Sequence, residues 1–394
     1  MDNLTHTLLG AAMAEIALPP SSHRTTRRVF LAVGVVASNL PDIDLVFTGL
    51  TPPPLGYLLH HRGHTHTVVG LVVQGLLLAG LGLLVPAVRG MDARVRRRLA
   101  LLGAAALASH LLLDSWNSYG IHPFYPIDSR WYYGDAVFIF EPWLWMLLGL
   151  AVAANAHRRL SRVLVIGTVT LLCLALTTLG VLAASSLAAL VVGGLAFAWG
   201  CRRLTPAGRA AAALGSGAAF VALVFGLGAV ARAQVRGLLQ PEVRGAIVDV
   251  VLNSQPASPL CWSAVAVEKD AAHDRFVLHR GTLSLAPSLV APERCALHRL
   301  WKLPSAPWPG QARLARTEPI AVSLETLRRY ARGDCRVAAW MQFGRAPFLR
   351  GEEIRDLRFE NGPRENFTAM TILEGGGCPS HVTSWGLPRA DLLD

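Results

Sequence analysis

Eight apolar segments occupy most of the first 231 residues, and they limit the folds that this chain can adopt. Several approach the roughly 20 residues that a helix needs to cross the hydrocarbon core of a bilayer. Hydrophobic residues make up 52% of the chain and charged residues 16%, with a mean hydropathy of +0.40. This profile predicts an all-α, polytopic bundle of about eight membrane helices. The segments comprise residues 4–18, 29–47, 67–88, 99–113, 136–156, 163–180, 181–200 and 210–231.

The distribution of arginine predicts how this bundle is oriented. Arginines cluster in the short loops 19–28, 89–98, 157–162 and 201–209, whereas the alternate loops 48–66 and 114–135 hold only Arg62 and Arg130. Basic loops favour the cytoplasmic side. We therefore expect the N-terminus and everything after residue 232 on the outer side. The net charge of +11 then reflects topology, and we expect no nucleic-acid partner.

The composition changes after about residue 234, which predicts a second domain over residues 235–394. Alternating patterns predict strands at 245–252, 262–268, 276–280, 336–343, 354–359 and 367–373, and a helical pattern covers 323–332. We expect a β-rich (α+β) soluble domain on the periplasmic side. It holds Cys261, Cys295, Cys335 and Cys378, which predict one or two disulfides with three full pairings open.

Four histidines fall within seven residues of one outer loop: His60, His61, His64 and His66. Packing does not require this density, and imidazole is the commonest metal ligand in proteins. His61 and His66 are the pair that we favour as ligands. Arg62 lies between them, and its guanidinium suits a phosphate or carboxylate, although a salt bridge to an orienting carboxylate is the alternative.

Three apolar segments each place a polar residue at a similar depth. His6 lies 12 residues from Leu18, Asp42 14 from Arg28 and His110 12 from Arg98. At a rise of about 1.5 Å per residue, all three lie about 18–21 Å above the cytoplasmic side of a core about 30 Å thick. We therefore expect these residues to meet His66 near the outer face.

Two further motifs place carboxylates at a similar depth in the membrane. Asp42 and Asp44 follow Pro41, and a charge at bilayer depth costs roughly 2.5–3.5 kcal/mol unless it is paired or coordinated. The alternative is that one of them caps the following helix. His110 and Asp114 are four residues apart and share a helix face, either as ligands or as a hydrogen-bonded pair without metal.

A donor set of histidine and aspartate without cysteine favours Zn²⁺, with Mn²⁺ or Fe²⁺ as alternatives. There are more candidates than one tetrahedral ion needs, so two ions sharing a carboxylate are also compatible with the pattern. Such ions activate water and polarise carbonyl or phosphoryl oxygens, which favours hydrolysis. In this scheme Asp44 is a ligand or the general base.

These motifs occur in the order typical of a known family. Thr5-His6 with Gly10, Asn39-Leu-Pro-Asp-Ile-Asp44, His61-Arg-Gly-x-Thr-His66 and His110-x-x-x-Asp114 resemble the YdjM-like, membrane-bound metal-dependent hydrolases of bacteria. The resemblance continues through Tyr119-Gly120, Pro123-Phe124 and Gly134-Asp135 to Glu141-Pro142, and covers roughly residues 1–150. The motif order is also similar, more distantly, to that of zinc-dependent phospholipase C proteins.

The resemblance implies an inner-membrane hydrolase and a set of metal ligands. The chain departs from the family at Thr67, where serine is common, and at Glu141, where aspartate is common. The second departure weakens any ligand role for Glu141. The implied ligands are His6, Asp42, Asp44, His61, His66, His110 and Asp114.

We therefore expect an outward-facing metal-dependent hydrolase in the bacterial inner membrane. A site below the outer surface favours membrane lipids or another amphipathic, lipid-linked substrate, and Arg62 favours a phosphoester. The alternative is a non-catalytic membrane protein with a structural metal and a partner-binding outer domain. A metal transporter is disfavoured, because the inward halves 7–18, 29–37 and 99–108 offer almost no polar residues besides Glu15.

Overall fold

The computed structural model describes residues 1–295, 306–308, 311–360, 366–373 and 377–393. The chain divides into two compact units. Unit 1 comprises Met1–Ile43, His64–Trp116 and Phe138–Leu223, and unit 2 comprises Asp44–Gly63, Asn117–Val137 and Val224–Asp394. Unit 2 therefore includes two segments that precede residue 235 in the chain. The boundary at 234/235 stays a prediction.

Helices dominate the N-terminal half of the chain, as predicted. Ten of them precede the first strand: α1 (Asn3–Ala17), α2 (Arg24–Asn39), α3 (Leu55–His60), α4 (Val68–Leu84), α5 (Pro86–Arg89), α6 (Ala93–Asp114), α7 (Pro142–Asn155), α8 (Arg159–Thr178), α9 (Ala184–Cys201) and α10 (Pro206–Leu239). Two 3₁₀ segments, Leu40–Leu50 and His64–His66, follow α2 and precede α4.

Fewer helices than the eight expected are long and apolar enough to cross a membrane. In the described chain, four pass by length and composition: Arg24–Leu50, Arg159–Thr178, Ala184–Cys201 and Pro206–Leu239. A fifth is reached if Leu55–His66 and Val68–Leu84, bent by 64°, count as one span. Helix α7 is apolar but shorter. The predicted class, a helical membrane region followed by a β-rich domain, is confirmed.

Helices α1 and α2 pack closely because two glycines face each other. A Cβ atom built on Gly10 would overlap the carbonyl oxygen of Gly34, and one built on Gly34 would overlap that of Gly10. Helix α1 begins where the Asp2 carboxylate accepts a hydrogen bond from the Thr5 backbone amide at 3.0 Å. Trp145 of α7 donates its indole N–H to the same carboxylate at 3.1 Å. These contacts fix the start of α1 within unit 1.

The described residues of unit 2 form two antiparallel sheets. The strands are β1 (Ala246–Gln255), β2 (Ser258–Asp270), β3 (Arg275–Ser284), β4 (Ala306–Trp308), β5 (Gln311–Arg316), β6 (Ile320–Ser323), β7 (Pro347–Arg350), β8 (Glu353–Asp356) and β9 (Met370–Thr371). The larger sheet has the order β1-β2-β3-β5-β4, with β6 also paired to β3, and the smaller sheet has the order β7-β8-β9. Among the described residues after β1 there are also three helices: α11 (Pro292–Cys295), α12 (Leu324–Gly333) and α13 (Cys335–Trp340).

The predicted strands at 245–252, 262–268 and 276–280 are confirmed as β1, β2 and β3, and the predicted helix at 323–332 as α12. The strand expected at 336–343 is wrong, because this segment begins with α13. The strands expected at 354–359 and 367–373 shorten to β8 and β9.

Unit 2 contains two disulfides, where the sequence predicted one or two. Cys261 is bonded to Cys295, and Cys335 to Cys378. Cys173 and Cys201 are free and buried in α8 and α9.

Candidate metal centre

Four of the predicted ligands meet within unit 1, each from a different part of the chain. One donor atom from each of Asp42, His66, His110 and Asp114 lies within 4.8 Å of the others. His110 and Asp114 belong to α6, Asp42 lies in the 3₁₀ segment after α2, and His66 ends the 3₁₀ turn before α4. The side chains of His66 and His110 are fully buried, whereas that of Asp42 is 13% exposed.

The separations of these donor atoms match a tetrahedral metal site. The Nε2 atoms of His66 and His110 are 3.0 Å apart. Each lies 3.5 Å from an Asp42 oxygen, and they lie 3.5 and 3.8 Å from an Asp114 oxygen. Ligand bonds of 2.0–2.1 Å to a tetrahedral Zn²⁺ place ligands about 3.3 Å apart. The donor set therefore fits one such ion.

The protonation of His110 supports the same conclusion. Its Nδ1 atom lies 2.7 Å from the Ser38 carbonyl oxygen, which can only accept a hydrogen bond. The proton of the neutral ring is therefore on Nδ1, and Nε2 presents a lone pair to His66, Asp42 and Asp114. A backbone carbonyl commonly fixes a metal-binding histidine in this way.

His6 packs against the cluster from α1. Its ring stacks on that of His110 with centroids 3.9 Å apart, and its Nε2 atom lies 3.2 Å from Asp114 Oδ1. The amino group of Met1 contacts the same oxygen. The other ring nitrogen of His6, Nδ1, is buried and makes no hydrogen bond. His6 thus helps to hold Asp114 in place from α1.

Unit 2 contains a second pair of predicted site residues. His61 Nδ1 lies 3.2 Å from Asp44 Oδ1, and the Gly63 backbone amide donates to Asp44 Oδ2 at 3.2 Å. A carboxylate held by an imidazole and a backbone N–H is well placed to accept a proton or to ligate a cation.

Arg62 directly follows His61 in the sequence and is also in unit 2, where its side chain is buried. It donates to Asn117 Oδ1 at 3.0 Å and to the Gly120 carbonyl at 3.5 Å. Its guanidinium carbon lies 4.7 Å from the centre of the Tyr119 ring. Burial raises the pKa of Tyr119 well above its usual range.

Much of the helical region is similar to a known family. Residues 1–185 match the model of the YdjM inner membrane protein family. This match confirms the resemblance inferred from the motifs and extends it beyond residue 150. No curated protein and no solved structure matches the chain at a significant level. The match and the apolar helices support a membrane protein.

The YdjM-like region contains all seven predicted ligands, and the structure divides them. His6, Asp42, His66, His110 and Asp114 lie together in unit 1, whereas Asp44 and His61 pair in unit 2. That all seven serve one centre stays a prediction.

Two acidic residues of the later family-like motifs, Glu141 and Asp135, make structural contacts. Glu141 caps α7 by accepting from the Trp143 backbone amide at 3.2 Å. Asp135 accepts two hydrogen bonds from Arg345, at 2.8 and 2.9 Å. The other two loop histidines lie elsewhere: His60 contacts Thr51 Oγ1 at 2.8 Å, and His64 is exposed.

Sequence reasoning missed the residues that orient these ligands within the YdjM-like region. Asn3 donates to Asp42 Oδ2 at 2.7 Å and to Asn39 Oδ1 at 3.3 Å, and Asn39 donates to Thr7 Oγ1 at 3.1 Å. Asn39 was visible as the first residue of the Asn-Leu-Pro-Asp motif. The role of Ser38 had no sequence signal, because it acts through its backbone carbonyl.

Proposed function

We propose that this protein is a membrane-embedded, metal-dependent hydrolase whose ion is held by Asp42, His66, His110 and Asp114. The observation that carries the proposal is the spacing of these four donors: the two imidazole nitrogens lie 3.0 Å apart, and 3.5–3.8 Å from oxygens of Asp42 and Asp114. A salt bridge needs only one cation and one anion at close range. Two imidazole nitrogens facing each other between two carboxylates are better explained by a shared cation, and Zn²⁺ suits this donor set best.

A bound divalent ion would supply Lewis-acid activation of water and of a phosphoryl or carbonyl oxygen. The chain's own residues keep the site ready for this chemistry. The Ser38 carbonyl holds His110 in the tautomer whose Nε2 is unprotonated, and Asn3 donates to one oxygen of Asp42. Asp42 is the most exposed of the four ligands, so we assign water and substrate entry to its side of the cluster.

The sequence motifs extend this proposal to three further residues. We assign His61 as a ligand, Asp44 as ligand or general base and Arg62 as the contact to the anionic part of the substrate. A second ion would be needed if Asp44 and His61 are both ligands. The substrate that we propose is a lipid or lipid-linked phosphoester, reached from the periplasmic side, because the predicted topology places the cluster in the outer part of the membrane.

The first test is elemental analysis of protein purified in detergent. We expect about one equivalent of zinc per chain in the wild type, and a large loss in His110→Ala and Asp42→Ala. His157→Ala is the matched control, since His157 lies on the surface of unit 1 and its loss removes one imidazole elsewhere. Metal content that is unchanged in the two ligand variants would remove the proposed site.

The second test is a panel of phosphodiester and phospholipid substrates, with and without a chelator. We expect hydrolysis that is abolished by the chelator, restored by Zn²⁺ or Mn²⁺ and lost in His110→Ala. Hydrolysis indifferent to the chelator would contradict the mechanism.

One observation favours the alternative, a structural ion in a non-catalytic protein. Four protein donors complete a tetrahedral shell, whereas catalytic zinc sites usually keep one position for water. Substitution with Co²⁺ separates the two cases. A spectrum that shifts when an anion is added indicates an open position, and an unresponsive spectrum indicates a closed structural site.

A further inference from the structure

An apolar groove runs between α4 and α6 within unit 1. It contains a cavity of about 740 Å³, to which Val33 of α2 also contributes. Every residue that lines this cavity is valine, leucine, alanine or glycine, with two exceptions, Arg96 and Arg97. Ligand pockets in proteins typically have volumes of about 300–1,000 Å³. The groove is therefore large enough for a ligand, and its walls favour one that is mostly apolar.

The groove exists because small residues lie on both helices. Cβ atoms built on Gly75 of α4 and Gly103 of α6 would reach Leu107 Cδ1 and Leu78 Cδ2 at ordinary contact distances of 3.6 and 3.5 Å. At Gly82, near the end of α4 that leads through α5 to α6, a Cβ would meet no atom within 4 Å among the described residues. The side chains of α4 and α6 therefore do not fill the space between the two helices.

The length of the groove matches one leaflet of a bilayer. On α6 its lining extends from Arg96 to Ala108, which corresponds to about 18 Å along the helix axis. Half of a hydrocarbon core that is about 30 Å thick is about 15 Å. Two of the lining leucines, Leu76 and Leu83, are 69% and 55% exposed, so the groove is open to the surrounding membrane. An acyl chain of one leaflet can therefore enter the groove and occupy its length.

The two arginines lie at one end of the groove and are not paired with carboxylates. Arg96 donates to two backbone carbonyl oxygens, at 2.9 and 3.1 Å, and both acceptors are neutral. In the part of the chain that the structure describes, no ion pair joins Arg96 or Arg97 to a carboxylate. Asp92, the acidic residue nearest in sequence, accepts instead from two backbone amides at the start of α6. The positive charge at this end is therefore available to an anion.

We propose that this groove binds an anionic phospholipid, with an acyl chain between α4 and α6 and the phosphate beside Arg96 and Arg97. A guanidinium pairs with phosphate through parallel N–H···O bonds, and basic pockets between membrane helices bind anionic headgroups. Arginines in short loops also set topology, but that role requires no adjoining cavity. The inference does not rest on the proposed function, because no residue that lines the groove is a proposed metal ligand.

The requirement for charge can be tested by native mass spectrometry, which counts bound lipids. Detergent-purified protein is titrated with phosphatidylglycerol and, separately, with phosphatidylcholine of the same acyl chains. The double variant Arg96→Gln/Arg97→Gln is compared with Arg158→Gln/Arg159→Gln, which removes the same charge at the start of α8, outside the groove. An arginine near an anionic headgroup contributes about fivefold, so we expect affinity for phosphatidylglycerol to fall about 25-fold in the first variant only.

The position of the acyl chain can be tested by filling the groove. Gly82→Phe places a ring in the cavity, whereas Gly80→Phe adds the same ring to α4 at a position that does not line it. A Cβ at either glycine meets no atom within 4 Å among the described residues, so we expect both variants to fold, which thermal unfolding checks. Displacing two methylene groups of a bound chain costs about 15-fold in affinity. We expect at least this loss in Gly82→Phe and none in Gly80→Phe.

Equal affinity of the wild type for the two lipids would overturn the proposal, as would a charge variant that binds phosphatidylglycerol as well as its control does. If Gly82→Phe weakens the binding of both lipids and the charge variant has no effect, the headgroup lies elsewhere and the anionic assignment is wrong. If only the charge variant weakens binding, the arginines attract lipid without the groove and the proposed site is wrong. Zinc analysis of the same preparations should give equal metal content in all of them.

Discussion

Substitution of Gly10 by alanine is a sharp test of whether the packing of α1 sets the metal centre. A Cβ on Gly10 would lie 2.7 Å from the Gly34 carbonyl carbon, about 1 Å inside an ordinary contact of 3.5–4.0 Å between carbon atoms. The obstacle is backbone, so no side-chain rotation relieves it. Helix α1 must therefore move away from α2 by about 1 Å.

That movement reaches the site through His6. His6 and Gly10 are four residues apart on one face of α1, and His6 Nε2 lies 3.2 Å from Asp114 Oδ1. A displacement of 1 Å lengthens this contact beyond hydrogen-bonding range and disturbs the stacking on His110. Loss of a partner that orients a ligand typically weakens metal affinity by about 10- to 100-fold. We expect the metal dissociation constant of Gly10→Ala to rise by about tenfold or more.

Stability should fall in the same variant. Overpacking destabilises a protein by about 1–3 kcal/mol, whereas the higher helix propensity of alanine stabilises it by at most about 1 kcal/mol. The assays are competition with a metal-binding dye and thermal unfolding in detergent. Gly167→Ala in α8 is the control, because a Cβ there meets no atom within 4 Å among the described residues. Metal affinity and unfolding midpoint equal to those of the control would refute the reasoning.

Three further outcomes concern unit 2. Arg345→Met should destabilise the protein by about 3–5 kcal/mol, because it leaves the carboxylates of Asp135 and Asp249 without their main partner. The measurement is chemical denaturation, and a loss of stability below about 1 kcal/mol would contradict the prediction. Burial raises the pKa of Asp249, but Arg345, Arg389 and a backbone hydrogen bond together lower it more, so the net pKa is below its usual range. Its contribution is therefore complete above about pH 4 and is lost as the pH falls further, so Asp249→Asn should flatten the acid limb of a pH–stability curve. Replacing Cys335 and Cys378 by serine opens a loop of 43 residues and should cost about 4 kcal/mol by the chain-entropy argument, measured by denaturation without reductant against the wild type.

The sequence predicted much of unit 1 because its constraints are local or periodic. Apolar runs mark helices, and the number of residues from each basic loop gave similar depths for His6, Asp42 and His110. The structure places these three side chains together. What could not be predicted is which position each of the two favoured loop histidines takes: His66 lies against His110, and His61 pairs with Asp44. That choice depends on the turn at Arg62, whose left-handed backbone has no sequence signature at a non-glycine residue.

The strand predicted at residues 336–343 is wrong for a physical reason. Val337, Ala339 and Met341 alternate in a way that predicts a strand, but Val337, Trp340 and Met341 also fit the spacing of one helix face. In so short a segment, the capping residue decides. Asp334 accepts a hydrogen bond from the Arg336 backbone amide at 2.8 Å and starts α13.

The two cystines of unit 2 have a practical consequence for purification chemistry. Dithiothreitol or mercaptoethanol would cleave Cys261–Cys295 and Cys335–Cys378, and the same thiols compete with imidazole for zinc. In such buffers the protein would lose any bound ion and both disulfides together, so the effects of the two losses could not be separated. The remaining cysteines are buried in apolar helices and need no such protection. Metal stoichiometry is therefore best determined on material handled without thiol additives.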